Sequence, residues 1–479
     1  MKKNLLYLIF IAFLFPVGEA GAVFLLIAPG ASAAATGEAQ VAKADDAYAS
    51  YYNPAGLGFQ KKSGMAGMHV NWLPSLADDL YYEFLAYKFP TSFGTLGGHL
   101  IFLNLGEQMA TDEIGNELGK FKSYMWALDL SYGTKLTTNS GIGLGFKIFH
   151  QKLADHVTEN ESGEGDPYST DFAFDISYLL RKQKHFILMD KVYSLIGIKS
   201  VDNGHDKFRF GFNIANIGPP IAFIDEDQAD PAPTNMRLGF FSNLYEDKFV
   251  RFNMLMDMQK LLVATYPSMD WNNDRLIGDG LNDDSGSFIN EAGQNEAAYA
   301  DPWYKAWATA WLDDWFYGGD VDYDQSKYIG GYYWIDGLNG GELDGSPQPE
   351  ELFDETIGNP DYPDMLGEGP YGCDGCTANE NGGFSPAIGE VVLELGSKKE
   401  RTLSKEFEEV IINTGFEFWY TENFVLRLGY IYDREGDIKN PTFGAGIKFD
   451  GYGFDFGYTA GEQGHPRSNS LFFSISAEI

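Results

Sequence analysis

Hydrophobic and polar positions alternate along most of this chain with a period of two. Phe208, Phe210, Phe212 and Ile214 alternate with Arg209, Gly211, Asn213 and Ala215. Trp126, Leu128, Leu130 and Tyr132 stand against Ala127, Asp129, Ser131 and Gly133. Phe172, Phe174, Ile176 and Tyr178 stand against Asp171, Ala173, Asp175 and Ser177, and Tyr452, Phe454, Phe456 and Tyr458 against Gly453, Asp455 and Gly457. Successive side chains of an extended chain point to opposite faces, so each run predicts a strand with one apolar face and one polar or small face. Similar runs lie near 64–73, 80–89, 93–103, 140–150, 190–198, 235–243, 249–258, 408–419, 424–432, 442–449 and 469–479. A bacterial single-chain barrel has an even number of strands, so these fifteen runs are read as fourteen, with the short 190–198 run the doubtful one.

A soluble sandwich also alternates, but it exposes long charged side chains. Here the polar face is Gly, Ser and Asp, with little Lys or Glu, which suits a lumen better than a solvated exterior. Composition points the same way: 37 Phe, 28 Tyr and 9 Trp sit beside 56 Gly, the pairing expected of barrel strands with aromatic girdles. Beyond residue 60 every long apolar stretch is broken by Gly, Asp, Asn or Lys, so no helical span is predicted. Lipid tolerates only helices and closed sheets. The predicted fold class is all-β: a transmembrane antiparallel barrel of about 14 strands, in contact with outer-membrane lipid. Its final run, Leu471 to Ile479, also resembles the signal read by the barrel-insertion machinery.

The N-terminus reads as an export signal. Lys2 and Lys3 precede an apolar run over 5–15, too short to span a bilayer. Gly18, Ala20 and Ala22 offer cleavage after Ala20 or Ala22, and residues 1–20 are taken as the signal. The neighbouring 21–62 segment is rich in small residues and closes on Asn53-Pro54-Ala55-Gly56. Asn53 can bond nearby backbone, Pro54 fixes φ and Gly56 permits a tight bend, so the tetrapeptide predicts a rigid turn. Little side-chain bulk between Gly30 and Gly37 suits a plug packed inside a lumen. Asp45 and Asp46 are expected to pair with lumenal cations or to cap a short helix.

These residues resemble the PorV/PorQ family of outer-membrane proteins, which is related to the FadL-type fatty-acid transporters. The resemblance rests on the block PGASAAATGEAQVAKADDAYASYYNPAGL, carrying Pro29, Gly30, Gly37, Asp45, Asp46, Asn53, Pro54 and Gly56, and on GFNIANIGPPIAFIDEDQADPAPTNMRLGFF further along. It implies a fourteen-stranded barrel with an N-terminal segment folded toward the lumen. It also implies a role in type IX secretion: binding translocon subunits and secreted proteins that carry C-terminal signal domains, and passing these to surface attachment. FadL-like relatives imply the alternative, a channel for fatty acids or other hydrophobic small molecules.

Residues 63–264 and 401–479 hold the barrel runs; 265–400 do not alternate. That insertion carries 28 Asp/Glu against 5 Lys/Arg, a net −23 of the whole chain's −35. A long acidic connection in such a barrel is expected outside the cell, and its charge excludes nucleic acid as a partner. Asp301-Pro302 opens and Gly318-Gly319 closes a predicted helix over 301–317, with Trp303, Trp307, Trp311 and Trp315 along one side as a docking ridge or an apolar cap. Asp320, Asp322 and Asp324 are weak calcium candidates, since the glycine and closing glutamate of an EF-hand loop are missing. Cys373 and Cys376 predict a local disulfide rather than zinc or thioredoxin-like chemistry. The seven histidines are scattered and no H-E-x-x-H or G-x-S-x-G motif occurs, so the expectation is a non-catalytic protein without cofactor.

Overall fold

A computed structural model describes residues 20–73, 79–111, 117–154, 167–183, 205–223, 229–266, 299–313, 315, 332–335, 352–354, 384–386, 403–461 and 469–479. Fourteen strands close into one antiparallel barrel in sequence order. They are β1 (Gly64–Asn71), β2 (Tyr81–Pro90), β3 (Thr95–Thr111), β4 (Glu117–Lys135), β5 (Ser140–Lys152), β6 (Tyr168–Lys182), β7 (Phe208–Ile217), β8 (Asn235–Glu246), β9 (Val250–Leu261), β10 (Ile411–Tyr420), β11 (Phe424–Asp433), β12 (Ile438–Phe449), β13 (Tyr452–Thr459) and β14 (Ser470–Glu478). β14 closes on β1 through the register Gly64↔Glu478 to Val70↔Phe472, which leaves the barrel no free edge. The doubtful 190–198 run, like the signal, Asp320, Asp322, Asp324, Cys373 and Cys376, lies outside the described residues.

Several strands exceed their predicted length, and β3 and β4 run furthest beyond it at one end. β3 and β4 continue over 104–111 and 117–124 through NLGEQMAT and ELGKFKSY, with a register shift between Asn104 and Glu107. Their polar sequence hides the extension, because an extended pair outside the membrane needs no apolar face.

The outer wall is apolar. Leu128, Leu130, Leu144, Phe172, Phe174, Ile176, Leu428 and Phe454 are exposed there. An aromatic ladder runs across β1–β6 near one rim, through His69, Tyr81, Phe102, Tyr124, His150 and Tyr168, with ring centroids 5.6–6.2 Å apart. Such a girdle marks the level where lipid meets water. The rim that carries residues 64 and 478 has tight connections at 90–95, 135–140, 246–250, 420–424 and 449–452; the 182–208 connection is its exception. The opposite rim has the longer connections 71–81, 152–168, 217–235 and 459–470, and it sends out the insertion between β9 and β10. These are called the turn rim and the loop rim; barrels of this kind place short turns in the periplasm and long loops outside.

Residues 20–62 pack against the inner wall. They form a 3-10 turn (Val23–Leu26), α1 (Ala31–Ala34), α2 (Ala49–Tyr52) and a second 3-10 turn (Pro54–Phe59). Glycines in cross-strand pairs make room for them: Gly133 beside Gly143, Gly211 beside Gly239, Gly415 beside Gly429 and Gly444 beside Gly457. A Cβ on Gly143 would stand 2.2 Å from Ala55 N, one on Gly429 2.2 Å from Gly37 N, and one on Gly211 2.4 Å from Val41 O. The inner backbone therefore runs against the wall's backbone, with no side chain between.

The inserted chain forms a second compact unit over 264–301 and 305–407. Among its described parts are the strand pair Thr265–Tyr266 and Tyr299–Ala300, and a three-stranded sheet with Tyr332–Ile335 between Leu352–Asp354 and Phe384–Pro386. The tryptophan helix, α3, spans Trp303–Thr309; of the 301–317 its pattern predicts, 314, 316 and 317 lie outside the described residues. Lys305 Nζ donates to Asp301 Oδ1 at 2.6 Å across its first turn. Trp303, Trp307 and Trp315 are exposed and Trp311 is half-buried.

Candidate functional site

The site is the inner segment and the wall groups that hold it. Its motif residues each have a defined place. Pro29 O accepts the Tyr52 hydroxyl at 2.7 Å. Gly30 has φ +101, and its N–H points at Met68 Sδ, 2.8 Å away. Gly37, at φ +61, donates to Thr442 Oγ1 at 3.0 Å, and a Cβ there would stand 2.6 Å from Thr414 O. Asn53 is fully buried: its Oδ1 accepts from Ala55 N (3.1 Å), while its Nδ2 donates to Val41 O (2.9 Å) and Tyr178 O (3.1 Å). One amide thus fixes the turn, a neighbouring pass of the segment and the wall. Pro54 opens the second 3-10 turn, where its lost N–H costs nothing. Gly56 is needed for space rather than for a left-handed bend, since a Cβ would lie 2.2 Å from Ala44 O.

Asp45 makes the ion pair expected of the two aspartates, whereas Asp46 forms a turn ahead of α2, whose N-cap residue Tyr48 makes no side-chain cap. Asp45 pairs with lumenal Arg209 at 3.2 Å. Asp46 Oδ1 accepts the Tyr48 N–H at 2.9 Å just ahead of α2. Arg209 also donates to Lys43 O at 2.6 Å.

The strongest ties come from residues that no local pattern marks. Lys43 Nζ reaches Glu417 Oε1 at 2.8 Å, Arg427 Nε reaches the same oxygen at 3.1 Å, and Arg427 NH1 reaches Asp455 at 2.6 Å. Trp419 Nε1 and Asn253 Nδ2 both donate to Glu417 Oε2. Burial alone would pull the Lys43 ammonium below its ordinary value; Glu417 and then Asp45 outweigh it and hold it above. On β9, Asp257 Oδ2 accepts two backbone donors, Gln40 N at 2.6 Å and Val41 N at 2.8 Å. On β14, Ser474 Oγ accepts Ala31 N at 2.8 Å and the Tyr48 hydroxyl at 3.2 Å. Arg237 lies over the Tyr51 ring, 5.0 Å from its centroid, and donates to its hydroxyl.

Toward the loop rim the contacts turn apolar. Phe24 and Leu25 are buried in one cluster with Val70, Trp72, Leu80, Tyr82, Ile101, Leu103, Ala127 and Phe149. Phe24 meets Phe149 edge to face with centroids 6.4 Å apart. Beside this cluster, Ser50 Oγ lies 3.2 Å and Asp129 Oδ1 3.4 Å from the same nitrogen of His99, Nδ1. A nucleophile–base relay needs its two partners on opposite ring nitrogens, so this arrangement is a packed polar contact and not a catalytic triad.

The sequence model of the family described as "Type IX secretion system protein PorV" matches residues 17–268, just over half of the chain. No curated protein matches significantly. Solved structures with similarity include the Ralstonia pickettii toluene transporter TbuX (8% identity, 95% of this chain and 100% of that one, TM-score 0.43). They also include the Pseudomonas putida toluene transporter TodX (10% identity, 94% and 96%, TM-score 0.39) and a Pseudomonas aeruginosa FadL homologue (9% identity, 94% and 97%, TM-score 0.39). The matched region holds the whole inner segment and the first nine strands of a closed outer-membrane barrel, and the chain belongs to the PorV family.

Proposed function

We propose that this protein is a non-catalytic outer-membrane component of type IX secretion. It binds translocon subunits and exported proteins bearing C-terminal signal domains, and links the translocon to surface attachment. The family match supports the system. What favours a binding role over a conduit is the lumen: inner-segment backbone lies directly on wall glycines on both sides of the barrel, at Gly143, Gly211 and Gly429, where a Cβ would meet it within 2.4 Å. A segment seated on the wall in this way supports a fixed inner structure, with the rims and outer wall as surfaces for binding.

Affinity capture of the tagged barrel from outer membranes of its own cells tests the proposal. Translocon subunits and signal-domain proteins are expected to co-purify, and deletion of the gene is expected to strand those proteins in the periplasm. Capture without either class, together with loss of fatty-acid or other hydrophobic-solute uptake on deletion, would replace the proposal with a small-molecule channel.

A further inference from the structure

The small residues around 18–22 leave two cleavage points open, after Ala20 or after Ala22. We infer that processing falls between Ala20 and Gly21, and that the α-ammonium so created is a structural group, seated on the Pro231 carbonyl beside the Asp230 carboxylate.

Three observations carry this. The first is an existing donor: Gly21 N lies 3.0 Å from Pro231 O. Hydrolysis of the Ala20–Gly21 peptide bond leaves a carboxylate on the departing signal and an amine on Gly21. At neutral pH that amine takes up a proton, which makes the bond to Pro231 charge-assisted.

The second is space. Gly21 is buried against the bridge that joins Ile221 to Asp230, and a Cβ at 21 would stand 3.2 Å from Asp230 Cβ and 3.3 Å from Ile221 Cβ. This pocket fits glycine, and it brings the new terminus against an acidic residue. Asp230 stays open to solvent on its outer side. Burial of the remainder pushes its carboxyl above the usual range. An ammonium at Gly21 places a positive charge against this carboxylate.

The third excludes the other site. Ala22 is 5% exposed and adopts φ 52, and its carbonyl accepts Leu25 N–H at 3.0 Å to open the Val23–Leu26 turn. Cleavage after Ala22 would remove both the Gly21 seat and this cap. The seat lies at the loop rim, since Ile221 and Asp230 belong to the 217–235 connection. The mature terminus therefore faces the cell exterior, and processing has to precede its docking.

N-terminal sequencing and intact mass of the barrel from outer membranes test the cleavage point. Amine labelling of the folded protein, located by peptide mass spectrometry, tests the seat. The mature chain is expected to begin at Gly21. An ion pair that raises the α-amino pKa by about one unit leaves about tenfold less neutral amine, so labelling should be about tenfold slower folded than heat-unfolded. Asp230→Asn should restore most of that rate while the barrel stays folded. A chain that begins at Val23, or that keeps residues before Gly21, would overturn the cleavage point. Equal labelling of folded and unfolded protein, or a rate untouched by Asp230→Asn, would overturn the seat.

Discussion

The inner segment meets the barrel in two chemically different ways. Near the loop rim, Phe24 and Leu25 are held by shape among Val70, Trp72, Leu80, Ile101, Leu103 and Phe149. Near the turn rim, Lys43 and Asp45 are held by charge, through Glu417, Arg427, Asp455 and Arg209. Between these regions the glycine pairs let backbone touch backbone. Apolar contact is non-directional and tolerates small shifts. Buried ion pairs add little net stability, but they punish every arrangement that leaves one partner alone. The charged half therefore sets the register of the segment, and the apolar half supplies its affinity for the wall.

That contrast predicts a graded series of effects. The largest belongs to neither half: Gly429→Val forces a side chain to within 2.2 Å of Gly37 N, a backbone atom that cannot swing aside. Its cost should exceed the usual ~1–3 kcal/mol of overpacking, read as loss of the folded, heat-modifiable band in gel electrophoresis. Glu417→Gln comes next. It strands Lys43 and leaves Arg427 with Asp455 alone, which predicts about 3–5 kcal/mol of destabilisation by chemical unfolding. Replacing Lys43 as well, in Lys43→Met/Glu417→Gln, should recover part of the loss; no recovery would mean that Glu417 acts through Trp419 and Asn253 instead.

Leu25→Ala on the apolar side should cost about 2–3 kcal/mol without changing the register, seen as unaltered amide exchange at Gln40 and Val41, the donors to Asp257. If it loosens those amides as much as Glu417→Gln does, the division of labour fails. Smallest is Tyr51→Phe, which removes one hydroxyl bonded to Leu25 O at 3.0 Å and to Arg237, for about 1 kcal/mol.

Much of the fold is legible in the sequence because a strand writes its burial locally. Leu128 and Leu130 outside against Asp129 and Ser131 inside are visible in four consecutive letters. The overhanging parts of β3 and β4 are not, because a segment beyond the membrane boundary need not alternate. The inner segment is legible as small-residue chain around a turn, and Asn53 stands out as its pivot. Its anchors do not. Lys43 and Glu417 are 374 positions apart, and only barrel closure brings them together. Gly56 is visible but points to the wrong cause: the letter marks glycine, and only the structure shows that Ala44 O rather than the backbone angle demands it.

The most direct test is single-channel recording on the purified barrel in a planar bilayer, beside a variant lacking residues 21–62. If the inner segment fills the lumen as a fixed part of the wall, the intact protein holds no steady conductance and the deletion variant opens a large, stable pore. A steady conductance in the intact protein that the deletion leaves unchanged would contradict the account.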